Sequence, residues 1–320
     1  MLYSVLKKVN FKEKILIVDS RDKIHEFGSG PNNLKIKLTN KSIENKLFRN
    51  PGLYFGEGYM NQEILIIEGT IEQLMDLITS CYDDFVQNNF IYKIYENFSG
   101  YFKIFQQLNE AVKSKQNVAH HYDLKEDLYK LFLDQDMQYS CAYFHNENIS
   151  LDQAQIDKKK HIINKLQITD NMNVLDIGCG WGGMAIEIAK QTGANVKGIT
   201  LSENQFATAS KRAQEEGLTE KISFEIKDYR NEVQKYDRIV SVGMFEHVGI
   251  KYFKTYLKKT YELLKDNGVF LLHTIGQRGI PTATSPWIRK YIFPGGYIPS
   301  LSDIINETQK LNINITDIEI

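Results

Sequence analysis

The fold is decided by one stretch, Val174-Leu175-Asp176-Ile177-Gly178-Cys179-Gly180-Trp181-Gly182-Gly183. An apolar strand that carries an acid runs here into a glycine-rich turn, and a helix is predicted from residue 184 to residue 190. Glycines allow backbone angles and close approaches that side chains forbid, and the first amides of a helix are free to bind a ligand. The stretch therefore predicts a nucleotide-like ligand at this turn.

Two classes of cofactor fit the turn. Gly178, Gly180 and Gly183 spell GxGxxG, a pattern that is also typical of dinucleotide-binding dehydrogenases. Asp176 lies two residues before the first of these glycines. A carboxylate there favours a cofactor with a cationic aminoacyl end, such as S-adenosylmethionine, over a pyrophosphate.

The end of the next predicted strand leaves the choice open. This strand ends in Thr200, at the position where dinucleotide-binding folds usually place an acid on the ribose hydroxyls. Glu203 follows within one turn and could still reach a ribose. These residues weaken the dehydrogenase interpretation without securing the other one.

The composition is that of an ordinary globular protein. A length of 320 residues predicts about two domains, and 42% hydrophobic residues suffice for more than one core. The net charge of -1 lacks the basic excess of a nucleic-acid-binding protein, and no run of about 18 apolar residues predicts a transmembrane helix. With no signal-peptide pattern in residues 1–10, we expect a cytoplasmic protein. Its three cysteines have no metal-type spacing, which predicts reduced thiols and no metal site.

A polar break at residues 113–117 predicts a domain boundary near residue 115. Residues 1–115 predict a small α+β domain, with strands at 14–19, 34–38 and 64–68 and helices at 71–85 and 101–112. Residues 116–320 predict an α/β domain in which strands alternate with helices, at 173–177, 195–199, 221–225, 236–242 and 268–273. That alternation predicts a parallel sheet with the ligand across its carboxyl ends.

Several blocks of sequence resemble one family, the S-adenosylmethionine-dependent cyclopropane-fatty-acyl-phospholipid synthases. Besides the glycine stretch, they are residues 120–124 (HHYDL), 137–144 (MQYSCAYF), 200–205 (TLSENQ), 237–249 (DRIVSVGMFEHVG), 271–276 (LLHTIG) and 291–296 (YIFPGG). Residues 56–60 (GEGYM) resemble the family's N-terminal extension. The resemblance implies a Rossmann-like class I methyltransferase sheet with a small lipid-associated N-terminal domain.

The resemblance implies a reaction on a lipid. The methyl group of S-adenosylmethionine would add to a cis double bond of an unsaturated phospholipid acyl chain, and the resulting carbocation would lose a proton and close a cyclopropane ring. The implied base is a bicarbonate ion in contact with Cys141, Glu246, His273 and the backbone amide of Ile275. An anion so placed combines general-base catalysis with electrostatic stabilisation.

The same resemblance implies cofactor contacts, with Tyr229 near the adenine and Asp176 orienting the glycine turn. The full set is Tyr139, Ser140, Asp176, Gly178, Gly180, Thr200, Gln205 and Tyr229. For two of the implied catalytic residues the pattern itself adds support. Glu246 follows the fourth predicted strand, and His273 ends the fifth. Two different strands therefore place polar side chains at the same carboxyl edge of the sheet.

A lipid substrate requires a surface that meets the membrane without crossing it. Residues 287–293 (WIRKYIF) predict either an interfacial loop with aromatic side chains at headgroup level or a lid or core-packing segment over the acyl chain. We expect the protein to be peripheral to the inner face of the membrane, with unsaturated phospholipid as its partner. A homodimer is implied by the resemblance only.

Two departures from the family concern the helix start and the C-terminus. Lys125-Glu126 stands where the family usually has Gly-Asn, at the start of the helix that would cover the cofactor. Residues 313–320 predict a sixth strand with no seventh after it, so the final strand of the family's sheet is missing and a sheet edge is predicted to be exposed.

Three interpretations follow from these patterns. The first is a cyclopropane synthase or a close lipid-methylating relative. The second is a methyltransferase that acts on the nitrogen of a small amine. The third is a shortened, non-catalytic protein that retains cofactor or lipid binding.

Overall fold

The computed structural model describes residues 1–30, 34–90, 92, 126–277, 284–293 and 296–320. The chain divides into two compact units, one of Met1–Lys103 with Ala283–Ile292 and one of Ile104–Thr282 with Phe293–Ile320. The helix predicted over residues 101–112 and the boundary near residue 115 fall outside the described residues, so both stay predictions. The sequence did not predict that a short segment late in the chain belongs to the first unit.

The secondary structure of the described residues runs in the following order. The helices are α1 (Leu2–Leu6), α2 (Lys41–Arg49), α3 (Pro51–Met60), α4 (Ile71–Asn88), α5 (Glu126–Lys130), α6 (Leu151–Leu166), α7 (Gly183–Thr192), α8 (Glu203–Glu215), α9 (Phe253–Leu263), α10 (Pro286–Tyr291) and α11 (Leu301–Lys310). The strands are β1 (Ile15–Val18), β2 (Ile24–Phe27), β3 (Leu34–Leu38), β4 (Ile64–Glu68), β5 (Asn173–Ile177), β6 (Asn195–Thr200), β7 (Ile222–Ile226), β8 (Tyr236–Val242) and β9 (Leu264–His273).

The first unit is the predicted α+β structure. Its mixed sheet has the order β2-β1-β3-β4, with β1 parallel to β3 and the outer pairs antiparallel. Leu34, Ile36 and Leu38 alternate inward along β3, and α4 begins with a capping box between Thr70 and Gln73. The strand β2 and the helices α2 and α3 were not predicted.

Residues 287–293, predicted as an interfacial loop or a lid, include most of α10, which packs on α3 within the first unit. Gly56 lies so close to Trp287 that a Cβ on the glycine would stand 2.4 Å from the indole nitrogen. Glu57 accepts hydrogen bonds from Lys290 Nζ at 2.6 Å and from Tyr291 Oη at 2.9 Å. The apolar side chains of the described segment 284–293 are partly buried, and the interfacial role stays a prediction.

The second unit contains a five-stranded parallel sheet in the order β7-β6-β5-β8-β9. All five predicted strands are confirmed, within a few residues at their ends. β5 is central, and Val174 to Ile177 are all buried because helices cover both faces of the sheet. From β5 the chain builds the sheet outward first on one side and then on the other, which places a crevice at the carboxyl end of β5.

The predicted sixth strand is wrong. Residues 312–320 form no strand, and β9 is an edge strand of the described sheet. The tail instead pairs its acids with α6, since Glu319 lies 2.7 Å from His161 Nε2 and 2.8 Å from Lys165 Nζ, and Asp317 also pairs with Lys165. Within the described residues, no helix has both the length and the apolarity needed to cross a membrane.

Candidate cofactor and catalytic site

The glycine turn between β5 and α7 is held by left-handed backbone and by its neighbour strand. Gly178 and Gly180 have φ angles of 79° and 55°. The amides of Gly178 and Cys179 both donate to the carbonyl of Ile199 on β6, at 2.9 and 3.1 Å. A Cβ on Gly178 would lie 2.7 Å from Met244, whereas one on Gly180 would meet nothing within 4 Å. The turn therefore needs glycine for its conformation, and at Gly180 it leaves open space.

A single cavity at the carboxyl end of the sheet brings the predicted cofactor residues together. Its wall includes all eight of them, namely Tyr139, Ser140, Asp176, Gly178, Gly180, Thr200, Gln205 and Tyr229. They come from the loop before α6, from the ends of β5 and β6, from the start of α8 and from the short helix after β7. The wall also contains residues that the sequence did not single out, including Trp181, Asp228, Arg230, His247 and Tyr252.

Asp176 is the buried acid of this cavity. It is 2% exposed, and among the described residues its Oδ2 has no hydrogen-bond partner. Burial raises the pKa of this carboxyl to about 7. A buried carboxylate without a cation is costly, so the arrangement suits a ligand that brings a positive charge. The ammonium group of an aminoacyl cofactor meets that requirement.

The end of β6 carries a neutral polar cluster where a dehydrogenase has an acid. Thr200 Oγ1 donates to Gln205 Oε1 at 2.8 Å and accepts the amide of Ser202 at 3.2 Å, and all three residues are buried. Glu203 is exposed and is not part of the cavity wall. The expectation that Glu203 reaches a ribose thus gains no support, and Gln205 occupies the wall instead.

The loop that supplies Tyr139 and Ser140 is anchored by buried polar contacts. Asp136 accepts Lys159 Nζ at 2.6 Å and also pairs with Arg212, while Gln138 Nε2 donates to Asp136 at 2.9 Å. A Cβ on Gly183 would lie 2.3 Å from Gln138, so this glycine lets the loop pack on the start of α7. Sequence patterns did not reveal these anchors, which fix the loop from three different helices.

Glu246 and Ile275, two of the four predicted catalytic residues, contact each other directly. The backbone amide of Ile275 donates to Glu246 Oε1 at 2.6 Å, and Tyr297 supports Glu246 by donating its amide to the Glu246 carbonyl at 2.9 Å. Glu246 is 2% exposed, and its Oε2 has no partner among the described residues. Burial raises the pKa of this carboxyl above its usual value. The amide expected to bind an anion is therefore already engaged by Glu246.

His273 lies two residues before Ile275 in the chain, and Cys141 directly follows Ser140 of the cavity wall. His273 ends β9, its carbonyl accepts the amide of Gly243 at 3.0 Å, and Nδ1 is buried without a partner in the described part of the chain. Burial, and then the charge of Lys158, lower the pKa of His273, which favours the neutral imidazole. Cys141 is exposed. All four catalytic candidates are described residues, and none belongs to the cavity wall. Cys141 and Glu246 lie within two residues of the wall and His273 is bonded to Gly243 of the wall, whereas Ile275 is connected to it through Glu246.

Comparison with known proteins identifies the family. The family model for mycolic acid cyclopropane synthetase matches residues 109–320, about two thirds of the chain. The chain belongs to the mycolic acid cyclopropane synthetase family. A second model, a domain of unknown function (DUF7884), matches residues 2–90.

Two relatives each match more than half of the chain. The cyclopropane-fatty-acyl-phospholipid synthase of Escherichia coli K12 is 47% identical over 189 residues, which are 59% of this chain and 48% of that protein. A probable fatty acid methyltransferase of Pseudomonas putida is 40% identical over 209 residues, or 63% of this chain and 53% of the relative. The chain spans about half the length of these two relatives.

Solved structures confirm the class I methyltransferase fold. The cyclopropane synthase MmaA2 from Mycobacterium tuberculosis aligns with a TM-score of 0.59 and 34% identity over 63% of this chain and 76% of that one. Mycolic acid cyclopropane synthase CmaA1, in complex with SAH and CTAB, gives 0.60 and 32% over 64% and 76%. Coclaurine N-methyltransferase, bound to N-methylheliamine and SAH, gives 0.52 and 25% over 61% of each chain.

Proposed function

We propose that this chain binds S-adenosylmethionine and transfers its methyl group to a cis double bond of an unsaturated phospholipid acyl chain, with closure of a cyclopropane ring. One observation carries the proposal: all eight residues expected to hold the cofactor line a single cavity at the carboxyl end of the sheet. The name of the Escherichia coli relative, a cyclopropane-fatty-acyl-phospholipid synthase, supports a phospholipid as the molecule that is modified. Family membership and the bound SAH in CmaA1 support the cofactor.

The cavity residues fit this cofactor by their chemistry. When bound, the cofactor supplies an electrophilic methyl group on a sulfonium. Asp176, buried without a partner in the described residues, would hold the ammonium of the aminoacyl end. Gly178 and Gly180 allow a close approach to the turn, and the first amides of α7 are free to donate because its N-cap, Gly182, has no capping side chain. Tyr229 offers an aromatic surface to the adenine.

The chain must also remove a proton from the methylated acyl chain. We propose that Cys141, Glu246, His273 and Ile275 hold a bicarbonate ion, which supplies a base for that step. Support comes from two buried polar atoms, Glu246 Oε2 and His273 Nδ1, that lack partners in the described part of the chain. Because the Ile275 amide donates to Glu246 Oε1, it must be shared or released to serve an anion.

The phospholipid would be taken from a membrane surface, with the protein peripheral to the inner face of the membrane in the cytoplasm. Sedimentation with vesicles of monounsaturated phospholipid tests this part of the proposal, since the chain should pellet with the vesicles. We propose a homodimer as the working state, and light scattering of the purified chain measures it.

The decisive experiment is the mass spectrum of fatty acids from monounsaturated phospholipid vesicles incubated with the chain, S-adenosylmethionine and bicarbonate. An acyl chain heavier by one CH₂ and without a double bond is expected. A product of the same mass that takes up hydrogen on mild catalytic hydrogenation keeps a double bond, and it would indicate a methyl branch in place of the ring. Cofactor binding with an unchanged lipid profile would favour the non-catalytic interpretation.

A second candidate function is methylation of a small amine. The structural similarity to coclaurine N-methyltransferase, at a TM-score of 0.52, is the observation that favours it. The acceptor would then be soluble, and transfer of label from S-adenosylmethionine to amines in the absence of lipid would distinguish it from lipid methylation.

A further inference from the structure

Two adjacent lysines of α6 are both buried but differ in their partners. Lys159 forms ion pairs with Asp136 at 2.6 Å and with Glu187 at 3.2 Å. Lys158 is 3% exposed and forms no ion pair with any described residue. Its ammonium donates instead to two uncharged acceptors, Gln138 Oε1 at 3.0 Å and Ser140 Oγ at 2.7 Å. The carboxylates of Asp134 and Asp136 are near enough to favour its charged form without pairing with it, so the direct contacts of Lys158 are with the loop that lines the cofactor cavity.

The face of α6 that carries Lys158 clamps the cofactor loop. Gln155, one turn earlier, donates its side-chain amide to the carbonyl of Ser140 at 2.9 Å and to that of Gln138 at 3.3 Å. Main chain and side chains of this short loop are therefore held by two residues of one helix. Burial lowers the pKa of Lys158 only to about 8, so its side chain is mostly protonated at neutral pH.

The contact between Lys158 and Ser140 leaves the hydroxyl proton of Ser140 available to a ligand. The Ser140 hydroxyl accepts from Lys158 and donates to no described residue, while Ser140 itself lines the cofactor cavity. A hydroxyl whose oxygen accepts from an ammonium group is a stronger donor, because hydrogen bonds in a chain polarise one another. Lys158 is not part of the cavity wall, so it acts on the cavity through the two wall residues that it bonds, Gln138 and Ser140, of which only Ser140 has a hydroxyl to donate.

We propose that Lys158 is a positioning residue that fixes and polarises Ser140 as a hydrogen-bond donor to the carboxylate of the cofactor's amino-acid end. The inference rests on the proposed function, since it assumes S-adenosylmethionine as the ligand. Of the groups on that cofactor, the carboxylate is the anion, and a donor backed by an ammonium suits an anion better than an adenine or a ribose. Asp176, in the same wall, provides the complementary charge for the ammonium.

The test compares two ligands by isothermal titration calorimetry. S-adenosylhomocysteine carries the amino-acid end, and 5′-methylthioadenosine lacks it. In Lys158→Met we expect the affinity for S-adenosylhomocysteine to fall by about 10-fold to 100-fold, while the affinity for 5′-methylthioadenosine changes by less than about 2-fold. The loss should not add to that of Ser140→Ala in the double variant, because both substitutions remove the same hydrogen bond.

Lys159→Met is the matched control on the same helix. It removes a paired buried lysine, and we expect lower stability with no preference between the two ligands. Lys158→Gln keeps a hydrogen-bond donor but removes the charge. If Lys158→Met does not fold, the affinities of Lys158→Gln for the two ligands are compared in its place. Equal losses for both ligands, or additive losses with Ser140→Ala, would overturn the inference. Failure of the unsubstituted chain to bind either ligand would overturn the proposed cofactor, and the inference with it.

Discussion

The cofactor cavity and the candidate catalytic group sit side by side in the second unit but are in different states. In the cavity wall, Asp176 has a carboxylate oxygen without a partner in the described residues, and the glycine turn leaves open space. In the catalytic group, Glu246 and the amide of Ile275 already satisfy each other at 2.6 Å. The cavity is thus preformed for a ligand, whereas the catalytic group must exchange a hydrogen bond before it can use that amide. Binding and chemistry should therefore respond differently to substitution.

The largest expected effect separates the two regions outright. Glu246→Gln should reduce product formation by about 100-fold or more, because it removes a buried carboxyl from the catalytic group. The affinity for S-adenosylhomocysteine should change by less than about 2-fold, since glutamine can still accept the Ile275 amide. Rates from the lipid assay and affinities from calorimetry measure the two effects.

Glu44→Gln is the control for that substitution. Glu44 is equally buried but lies in the first unit, where it accepts Ser20 and pairs with Lys41. We expect it to lower stability and leave the rate intact. A weakened cofactor affinity in Glu246→Gln would show that the two regions are not separable.

The next effect is confined to the cavity. Gly178→Ala should weaken S-adenosylhomocysteine binding by about 10-fold or more, because the turn has a φ of 79° and the new Cβ would stand 2.7 Å from Met244. Gly217→Ala is a matched control, with a φ of 67° and no atom within 4 Å of the added Cβ. Both variants should lose about 1 kcal/mol of stability from the strained backbone, so equal binding losses would argue against a specific role for the turn.

Asp176→Asn should weaken the cofactor and strengthen the fold. Affinity for S-adenosylhomocysteine should fall by about 10-fold as the partner of its ammonium is neutralised. Without ligand, the variant should be more stable than the unsubstituted chain at neutral pH by about 2 kcal/mol, because a buried uncompensated carboxylate is removed.

The pH dependence of this gain has a defined sign. Burial raises the pKa of the Asp176 carboxyl to about 7 in the folded chain, against its ordinary value of 3.8. The stability contributed by the neutral acid is therefore complete below about pH 4 and lost as the pH rises through 7. Chemical denaturation should show a small advantage of Asp176→Asn at low pH and a larger one at neutral pH. A gain in stability that is independent of pH would contradict the raised pKa of the Asp176 carboxyl.

The smallest expected effect tests which side chains belong to the wall of the cofactor cavity. Glu203→Gln should change S-adenosylhomocysteine affinity by less than about 2-fold, because Glu203 is exposed and stands outside the wall. Gln205→Ala is the contrasting variant, since Gln205 is buried in the wall and bonded to Thr200. A loss of affinity above about 5-fold in Glu203→Gln would support a contact between Glu203 and the ribose.

Prediction from sequence succeeded where the signal was local. The strand at 173–177, the glycine turn and the start of α7 follow each other without interruption, so strand pattern and turn chemistry fix the cofactor side. The regular alternation of strands and helices then gave the parallel sheet. The failure at residues 313–320 has the opposite cause. Alternating isoleucines predicted a strand, but the segment forms none, and its Asp317 and Glu319 pair with side chains of α6.

The sequence contains a pattern that could have predicted the burial of Lys158. Ala154, Lys158 and Ile162 are spaced by four residues, so a helix places them on one face, and all three are buried. The run Lys158-Lys159-Lys160 hides this, because three consecutive lysines suggest a solvated surface. The sequence could place Lys158 on the inner face of α6, but it could not show that its neighbour is ion-paired and Lys158 is not.

The sequence by itself determined the strand-turn-helix unit and the parallel sheet, because these depend on neighbours within one supersecondary unit, whereas the proposed cofactor residues outside the glycine turn came from the family resemblance. Only the tertiary structure decided that Glu246 bonds the Ile275 amide, 29 residues away, that Lys158 is buried beside Ser140, and that residues 284–292 pack on α3. Burial and hydrogen-bond satisfaction depend on groups that are distant along the chain, and periodicity carries no record of those partners.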